Sequence, residues 1–397
     1  MYPNLYFAFK DLFGVEWTFL RFVNSFGFFV AIAFILAAVV LAAELKRKSS
    51  EGLLQPTEMQ VMVGQPATAA ELILNFLLGF LLGFKILALF IMDSSATDDP
   101  QAFIFSPIGS WPAGIIVGIL FAGLKWFEKN KQKLPKPEKR MVRIWPQDRV
   151  GEITVLALVF GLIGAKVFDI FENWSDFLKH PSSYLLSPSG LTFYGGLICA
   201  AIAIWVYAKK HNIGFWHLND AAAPALMLSY AVGRIGCQVA GDGDWGIPNH
   251  SPKPFNWLPD WMWAFKYPHN VNEVDTPIPG CIGKYCYELK EAAWPTPFYE
   301  TMVCLVLFVI LWSLRKRLKT PGVLFALYLM LNGIERFFVE KIRVNTRLNI
   351  FGFQPTQAEV ISTLLFLTGL GLWFYLKRKD RDNATKSTST GVDKTGT

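Results

Sequence analysis

Charged residues are scarce in this 397-residue sequence: Asp, Glu, Lys and Arg make up 17% of it, whereas hydrophobic residues make up 52%. Soluble domains carry about 25% charged residues, so this composition excludes an ordinary soluble protein. Histidine and cysteine are also scarce, with five of each, and no Cys/His spacing is typical of a metal site. We therefore expect an integral membrane protein that binds no metal.

The basic residues have a pattern of their own. A formal net charge of +7 would suggest nucleic-acid binding in a soluble chain. Here the lysines and arginines cluster on alternate loops between apolar runs, as the positive-inside rule describes, so we expect no nucleic-acid partner. The bias places the N-terminus outside and the C-terminus in the cytoplasm. The first apolar run lacks a basic n-region and a cleavage site, so we expect it to remain as a membrane helix.

Apolar runs near the roughly 20 residues needed to cross a bilayer predict an all-α integral membrane protein with about nine transmembrane helices. The runs are 22–43, 71–92, 108–126, 152–171, 191–208, 219–236, 298–314, 321–340 and 357–376. The connection 247–297 is long and rich in Pro and Trp, which predicts a small folded insertion or a lid on the outer side. Residues 1–376 would form one membrane domain, and 377–397 a disordered cytoplasmic tail.

Residues 71–130 align with residues 152–211 at a constant offset, which indicates a duplicated helix pair. Matched pairs include Gly83/Gly164, Lys85/Lys166 and Gly114/Gly195. Chance similarity between two membrane segments of like composition is the alternative. Asp169 and Tyr194 occur in the second copy where the first has alanine, so we expect the second copy to be the functional one.

Arg234 ends an apolar run that breaks into a glycine-rich, acidic stretch, Gly-Arg-Ile-Gly-Cys-Gln-Val-Ala-Gly-Asp-Gly-Asp-Trp-Gly over 233–246. An arginine at membrane depth costs about 2.5 to 3.5 kcal/mol, so it should face a protein interior or a watery cavity and hold a partner. The glycines permit a tight backbone that returns Asp242 and Asp244 toward the arginine. The alternative is a snorkelling arginine followed by a solvated loop.

A second charged cluster consists of Arg336, Glu340 and Arg343, whose i, i+4 and i+7 spacing places them on one helical face. Together with Arg234, these two arginines could hold a phosphate by bidentate hydrogen bonds. A lipid phosphodiester at the outer leaflet fits that chemistry. The alternative is a helix end whose charges neutralise one another.

Further candidates lie near the outer ends of the predicted spans. Tyr194 is placed at the interface, where tyrosine is commonly a belt residue. Glu300 opens the seventh run and should have a partner there. Cys281 and Cys286 lie in the outer connection, where an oxidising environment favours a disulfide between them.

These motifs resemble those of the bacterial prolipoprotein diacylglyceryl transferases. The family signature Gly-Arg-x-Gly-Asn-Phe-x-Asn-x-Glu-x-x-Gly is similar to 233–246, with Arg234 at the arginine and Asp242 or Asp244 where the glutamate falls. Other family motifs also have counterparts: Phe-His-Gly-Gly is similar to 193–196, Pro-Ser-Gln-x-Tyr-Glu to 295–300, and Arg-Phe-x-x-Glu-x-x-Arg to 336–343. Lys166 and Asp220 fall at charged family positions.

The resemblance covers residues 19–45 weakly and about 150–376 well, and it leaves the extra helix pair at 71–126 without a counterpart. The sequence also departs from the family inside the motifs. Cys237 and Ala240 replace the signature asparagines, Tyr194 replaces the histidine, and Asn332 stands where the family has a tyrosine. These departures leave the proton acceptor open, while the arginines remain.

The resemblance implies a transferase of the bacterial cytoplasmic (inner) membrane, with a periplasmic N-terminus and a periplasmic insertion. It would move the diacylglyceryl group of phosphatidylglycerol to the lipobox cysteine thiol of a preprolipoprotein, forming a thioether and releasing glycerol phosphate without a cofactor. Its implied catalytic residues are Arg234, Arg336, Tyr194 and Glu340, and its implied lipid ligands are Arg234, Asp242, Asp244, Arg336, Arg343, Lys166 and Glu300. The alternative is a phospholipid-binding or lipid-transporting membrane protein without catalysis.

Overall fold

Helices dominate the chain in a computed structural model that describes residues 1–88, 103, 106–179, 181–186, 192–345, 349 and 353–392. The helices are α1 (Leu5–Phe13), α2 (Ser25–Ser50), α3 (Ala69–Leu82), α4 (Trp111–Lys131), α5 (Val150–Glu172), α6 (Trp174–Lys179), α7 (Pro181–Leu186), α8 (Phe193–Lys210), α9 (Phe215–Ala240), α10 (Thr296–Leu314), α11 (Val323–Glu340) and α12 (Gln357–Val392). A π-helical turn, Gly83–Leu87, continues α3.

Seven helices in the described part of the chain are long and apolar enough to cross a membrane. The predicted count of nine is not confirmed, because α9 and α11 are helices at the predicted positions but carry ionisable residues among their apolar ones. Helix α9 carries Asp220 and Arg234, and α11 carries Glu335, Arg336 and Glu340. Both helices are packed among others, α9 against α2, α10 and α11, and α11 also against α12. Burial among protein helices is where ionisable residues at membrane depth belong.

Two clusters of buried apolar side chains hold this bundle together. Leu45 and Leu218 belong to the first, which joins α2, α5, α8 and α9. Met227, Cys304 and Leu324 belong to the second, which joins α9, α10 and α11. Because α9 contributes to both clusters, it is the central helix that fixes the position of Arg234.

Asp220 has a structural role at the start of α11. Its carboxylate accepts hydrogen bonds from the backbone N–H groups of Gly322, at 2.8 Å, and Phe325, at 3.0 Å. Lys48 lies 3.6 Å from the same carboxylate. The first N–H groups of a helix have no partner within the helix, so this contact ties α9 to α11.

Helices α3 and α4 form one helical hairpin, and α5 and α8 form another. Both cross at equivalent glycines, because a Cβ on Gly83 would lie 2.4 Å from the Ala113 carbonyl oxygen, and one on Gly164 would lie 2.5 Å from that of Gly195. Only glycine permits so close a backbone approach. Equivalent crossings are what a duplication of 71–130 and 152–211 predicts.

Short strands lie in two of the connections. Strand β1 (Thr57–Val63) pairs antiparallel with β2 (Glu138–Ile144), with Thr57 opposite Ile144. Strand β3 (Thr276–Pro277) pairs with β4 (Tyr287–Glu288) in the same way. Both pairs of strands lie in connections between helices. The membrane region itself is all-α, as predicted.

Residues 241–295, here called the head, fold into a unit with a small core. Tyr267 is fully buried there with Leu289 and Ala293. The Tyr267 hydroxyl donates to Gln238 Oε1 at 2.9 Å, which connects the head to the last turn of α9. The predicted insertion is therefore a folded element attached to the helix that carries Arg234.

The end of the chain differs from its prediction. Residues 377–392 continue α12 as a helix, whereas the sequence predicted a disordered tail from residue 377. A helix that already spans a membrane needs no new nucleus to extend, and Lys, Arg and Ala favour continuation. Residues 393–397 lie outside the described residues.

Candidate active site

Arg234 lies near the end of α9 between two carboxylates. Its guanidinium forms an ion pair with Asp244, and its Nε lies 3.0 Å from Glu300 Oε2. The guanidinium carbon is also 5.2 Å from the ring centroid of Tyr230, one turn earlier. The side chain is 16% exposed. Arg234 thus faces the protein interior with partners, as its insertion cost predicts, and is not a snorkelling residue.

The loop after α9 returns Asp244 to this arginine. Gly241 and Gly243 have φ of 64° and 99°, a left-handed backbone that other residues rarely adopt. Gly246 then passes through a narrow gap, since a Cβ there would lie 2.4 Å from the Ile342 carbonyl oxygen. Hydrogen bonds fix this position, with the Gly246 N–H donating to Trp294 O at 2.8 Å and the Ile247 N–H to Ile342 O at 2.9 Å.

Glu300 is the buried centre of the site. It lies in the second turn of α10 and has no exposed surface. Its Oε1 accepts hydrogen bonds from Arg336 at 2.9 Å, Arg343 at 3.4 Å and the Tyr230 hydroxyl at 3.2 Å. Arg234 approaches Oε2, although that oxygen accepts no hydrogen bond from the described residues. A buried carboxylate is stable only with such compensation, so Glu300 holds three arginines together.

Asp244 is the second shared carboxylate, because it pairs with both Arg234 and Arg343. Burial alone would raise the pKa of Asp244, but the two arginines hold it below its usual value. Asp242 lies beside Cys237, and its side chain accepts from the Asp244 backbone N–H at 3.4 Å. Burial and the neighbouring Asp244 raise the pKa of Asp242. Of the two aspartates, Asp244 is the one in contact with the arginines.

Glu340 completes the stripe on α11. Its Oε2 lies 3.3 Å from Arg336 Nη2, and its Oε1 accepts a hydrogen bond from the Asn345 amide at 2.6 Å. Tyr194, at the start of α8, lies within electrostatic range of Arg336 and Glu340. The structure therefore brings Tyr194 of the second hairpin near Arg336 and Glu340 of α11.

Three arginines and three carboxylates thus form one arginine cluster: Arg234, Arg336, Arg343, Asp244, Glu300 and Glu340. Each guanidinium has five N–H donors, and the carboxylates engage only some of them. The arginine side chains are 10 to 22% exposed, so the remaining donors are desolvated but reachable. Such an array suits a phosphate group, which planar guanidinium forks bind bidentately.

Lys166 belongs to a separate group on the second hairpin. Its ammonium lies 3.5 Å from Asp169 and 4.7 Å from the ring centroid of Tyr184. The equivalent Lys85 donates to the carbonyl oxygens of Phe103 and Ile108, at 2.7 and 2.8 Å. Lysine at this position of each hairpin binds groups near the adjoining connection.

Cysteines occur in two settings near the site. Cys281 and Cys286 form a disulfide in the head, with their Cα atoms 5.6 Å apart.

Cys237, Asp242 and Asp244 place possible metal-ligand atoms within 4.8 Å of one another. Because Asp244 already pairs with two arginines, the positive charges beside this group oppose a cation.

Sequence reasoning missed two residues at the site, Tyr230 and Glu335. Tyr230 precedes Arg234 by four residues, which places both on one helical face. Glu335 is an ionisable residue inside an apolar run, which is itself a signal of function. Both signals were present in the sequence, but neither residue lies in a motif position that matched the family.

Fold and site together define a multi-span membrane protein that carries an arginine cluster suited to a phosphate group. A family model described as prolipoprotein diacylglyceryl transferase matches residues 100–375. The chain therefore belongs to the prolipoprotein diacylglyceryl transferase family.

Several curated relatives carry the name phosphatidylglycerol–prolipoprotein diacylglyceryl transferase. The protein from Dehalococcoides mccartyi is 28% identical over 243 residues, which are 61% of this chain and 82% of the relative. That from Shouchella clausii is 29% identical over 231 residues, 58% and 76% of the two chains. That from Chromohalobacter salexigens is 26% identical over 298 residues, 74% and 97% of the two chains.

Proposed function

We propose that this protein transfers the diacylglyceryl group of phosphatidylglycerol to the lipobox cysteine thiol of a preprolipoprotein, the first step of lipoprotein maturation. The names of its relatives give a diacylglyceryl transfer between phosphatidylglycerol and a prolipoprotein, and the lipobox cysteine as acceptor is what the resemblance to that family implies. The observation that carries the proposal is the arginine cluster, in which Glu300 and Asp244 each join more than one arginine. Such a preorganised array of guanidinium donors can bind the lipid phosphate and stabilise the charge that develops on it.

The chemistry follows from that arrangement. The substrate thiol loses its proton, which passes to solvent water, and its sulfur attacks the carbon of the diacylglyceryl group that bears the phosphate. A carbon–sulfur bond forms, the carbon–oxygen bond breaks, and glycerol phosphate leaves with the electron pair. Arg234 and Arg336 would bind the phosphate and stabilise the leaving group, because charge on it increases during the step.

The other site residues would position the lipid and the arginines. Asp244, Glu300 and Glu340 hold the guanidinium groups. Asp242 would bind the lipid glycerol. Tyr194 would contact the thiol or the headgroup. An unperturbed tyrosine has a pKa of about 10, so it is a poor base at neutral pH, and we assign Tyr194 a binding role first.

We also propose the orientation that the basic loops indicate: N-terminus and head in the periplasm, C-terminus in the cytoplasm. The disulfide in the head agrees with an oxidising compartment. The thiol-bearing segment of the substrate would then meet the arginine cluster on the outer side of the inner membrane.

The test is an assay of the purified protein with phosphatidylglycerol vesicles and a synthetic lipobox peptide. We expect release of glycerol phosphate and a peptide whose mass increases by one diacylglyceryl group. A peptide with the lipobox cysteine replaced by serine is the control and should stay unmodified. Binding of phosphatidylglycerol without either product would instead support the lipid-binding or lipid-transporting alternative.

A further inference from the structure

Glu335 is a buried carboxyl group that the proposed reaction does not use. It lies in α11 next to Arg336, and only 4% of it is exposed. Neither of its carboxyl oxygens has a hydrogen-bond partner among the described residues. An unpaired ionised carboxylate in such a place costs several kcal/mol, whereas a neutral carboxylic acid costs far less.

Glu335 lies close to residues of the arginine cluster. Helix α10 faces it with Glu300 and Cys304, and α9 with Arg234. Arg343, beyond the end of α11, also acts on it. Among the described residues, the other ionisable groups that interact with it are Tyr328 and Arg336 on α11 and Tyr230 on α9.

The remaining neighbour, α12, brings no ionisable side chain to this depth. Its residues between Glu359 and Tyr375 are all uncharged and do not titrate. The three arginines and three carboxylates of the arginine cluster therefore balance in charge without Glu335. Each arginine of the cluster is already paired with a carboxylate. A fourth carboxylate would give the cluster a net negative charge.

We propose that Glu335 is a positioning residue that works as an uncharged carboxylic acid, leaving the arginine cluster neutral and free to accept the anionic lipid phosphate. This inference rests on the proposed transfer reaction. When Glu335 loses its proton, its carboxylate repels the phosphate and competes with it for Arg336 and Arg234. The residue acts through these arginines and does not itself contact the lipid.

Two consequences distinguish this role from simple packing. Turnover should fall at alkaline pH as Glu335 ionises, and the fall should appear in KM for phosphatidylglycerol more than in kcat, because binding of the anion is what is lost. Glutamine has the size of glutamate but cannot ionise. Glu335→Gln should therefore keep kcat/KM at pH 7 within about threefold and remove the alkaline fall.

The experiment measures peptide lipidation from pH 6 to pH 10 for the parent protein, Glu335→Gln, and a matched control, Glu128→Gln, on the exposed pair with Lys125. The control should keep the parent's alkaline fall. A parallel titration follows binding of dihexanoyl phosphatidylglycerol by calorimetry over the same pH range, so the charge argument is tested even without turnover. The thermal unfolding midpoint in detergent shows whether each variant is folded.

The outcomes separate the two proposals. Loss of phosphatidylglycerol binding at high pH in the parent but not in Glu335→Gln supports the role of Glu335, with or without peptide lipidation. An unchanged alkaline fall in a folded Glu335→Gln overturns it, as does a tenfold or greater loss of kcat/KM at pH 7. Absence of lipidation by the parent protein at every pH would refute the transfer reaction alone.

Discussion

Replacing Arg234 by lysine tests the central claim about the site, because lysine keeps the charge and removes the fork. Arg234 contacts Asp244 through Nη1 and approaches Glu300 through Nε, so two different nitrogens serve two carboxylates. A lysine has one ammonium nitrogen and cannot reproduce both contacts while also binding a phosphate. Arg336 is built alike, with Nη1 on Glu300 and Nη2 near Glu340.

The size of the effect follows from these contacts. A charge-assisted hydrogen bond contributes about 1.5 to 3 kcal/mol, and each variant loses at least one such contact to the phosphate as charge develops. At 1.36 kcal/mol per factor of ten, kcat/KM should fall about 10- to 150-fold in Arg234→Lys and in Arg336→Lys. Both variants should still insert into the membrane, since the charge at each position is unchanged.

The assay is release of glycerol phosphate from phosphatidylglycerol with a lipobox peptide, run beside a thermal unfolding scan in detergent. Arg140→Lys is the matched control, because Arg140 is 58% exposed in a pair with Glu138 and should tolerate the same change within about threefold. Near-normal turnover in both site variants would refute the phosphate-binding role of the guanidinium forks.

Three further predictions concern Cys237 in the last turn of α9 and two features of the head. Cys237→Ala should keep substantial activity, because a diacylglyceryl group on Cys237 would be a thioether, a poor leaving group; loss of turnover in the folded variant, with a lipid adduct on the parent's Cys237 by mass spectrometry, would contradict direct transfer. Cys281 and Cys286 should resist alkylation in protein isolated without reductant and react after reduction, and free thiols at both positions would argue against the pairing or the orientation. Gly246→Ala should lower the unfolding midpoint and the activity, at a cost of about 1 to 3 kcal/mol, because its Cβ would meet the Ile342 carbonyl oxygen; Gly151→Ala, where the space is open, should change neither.

The membrane class and most helices followed from the sequence, because apolar length and the spacing of basic loops are local properties of a chain. Helices α9 and α11 are not among the seven that could cross a membrane by length and composition. Their ionisable residues make each one a poor membrane span when taken alone. Packing among α2, α10 and α12 supplies the environment that makes them stable.

Part of the site could also be predicted from the sequence. Arg234 and the stripe Arg336, Glu340 and Arg343 could be predicted, because an arginine at membrane depth requires a partner and because i, i+4 and i+7 residues share a helical face. The hairpin of α3 and α4 could be aligned with that of α5 and α8, because a repeat is a property of the linear sequence. Residues 377–392 continue α12 as a helix, which the composition of the tail alone did not indicate.

Only the tertiary structure decided how these parts meet. Sequence alone left Asp242 and Asp244 as equivalent candidates, and the loop through Gly246 placed Asp244 between Arg234 and Arg343. The packing of α10 against α9 and α11 also made Glu300 the carboxylate that three arginines share. Charges on separate helices have no preferred partner until the helices pack, because the energy of an ion pair depends on distance and burial, which a linear sequence does not contain.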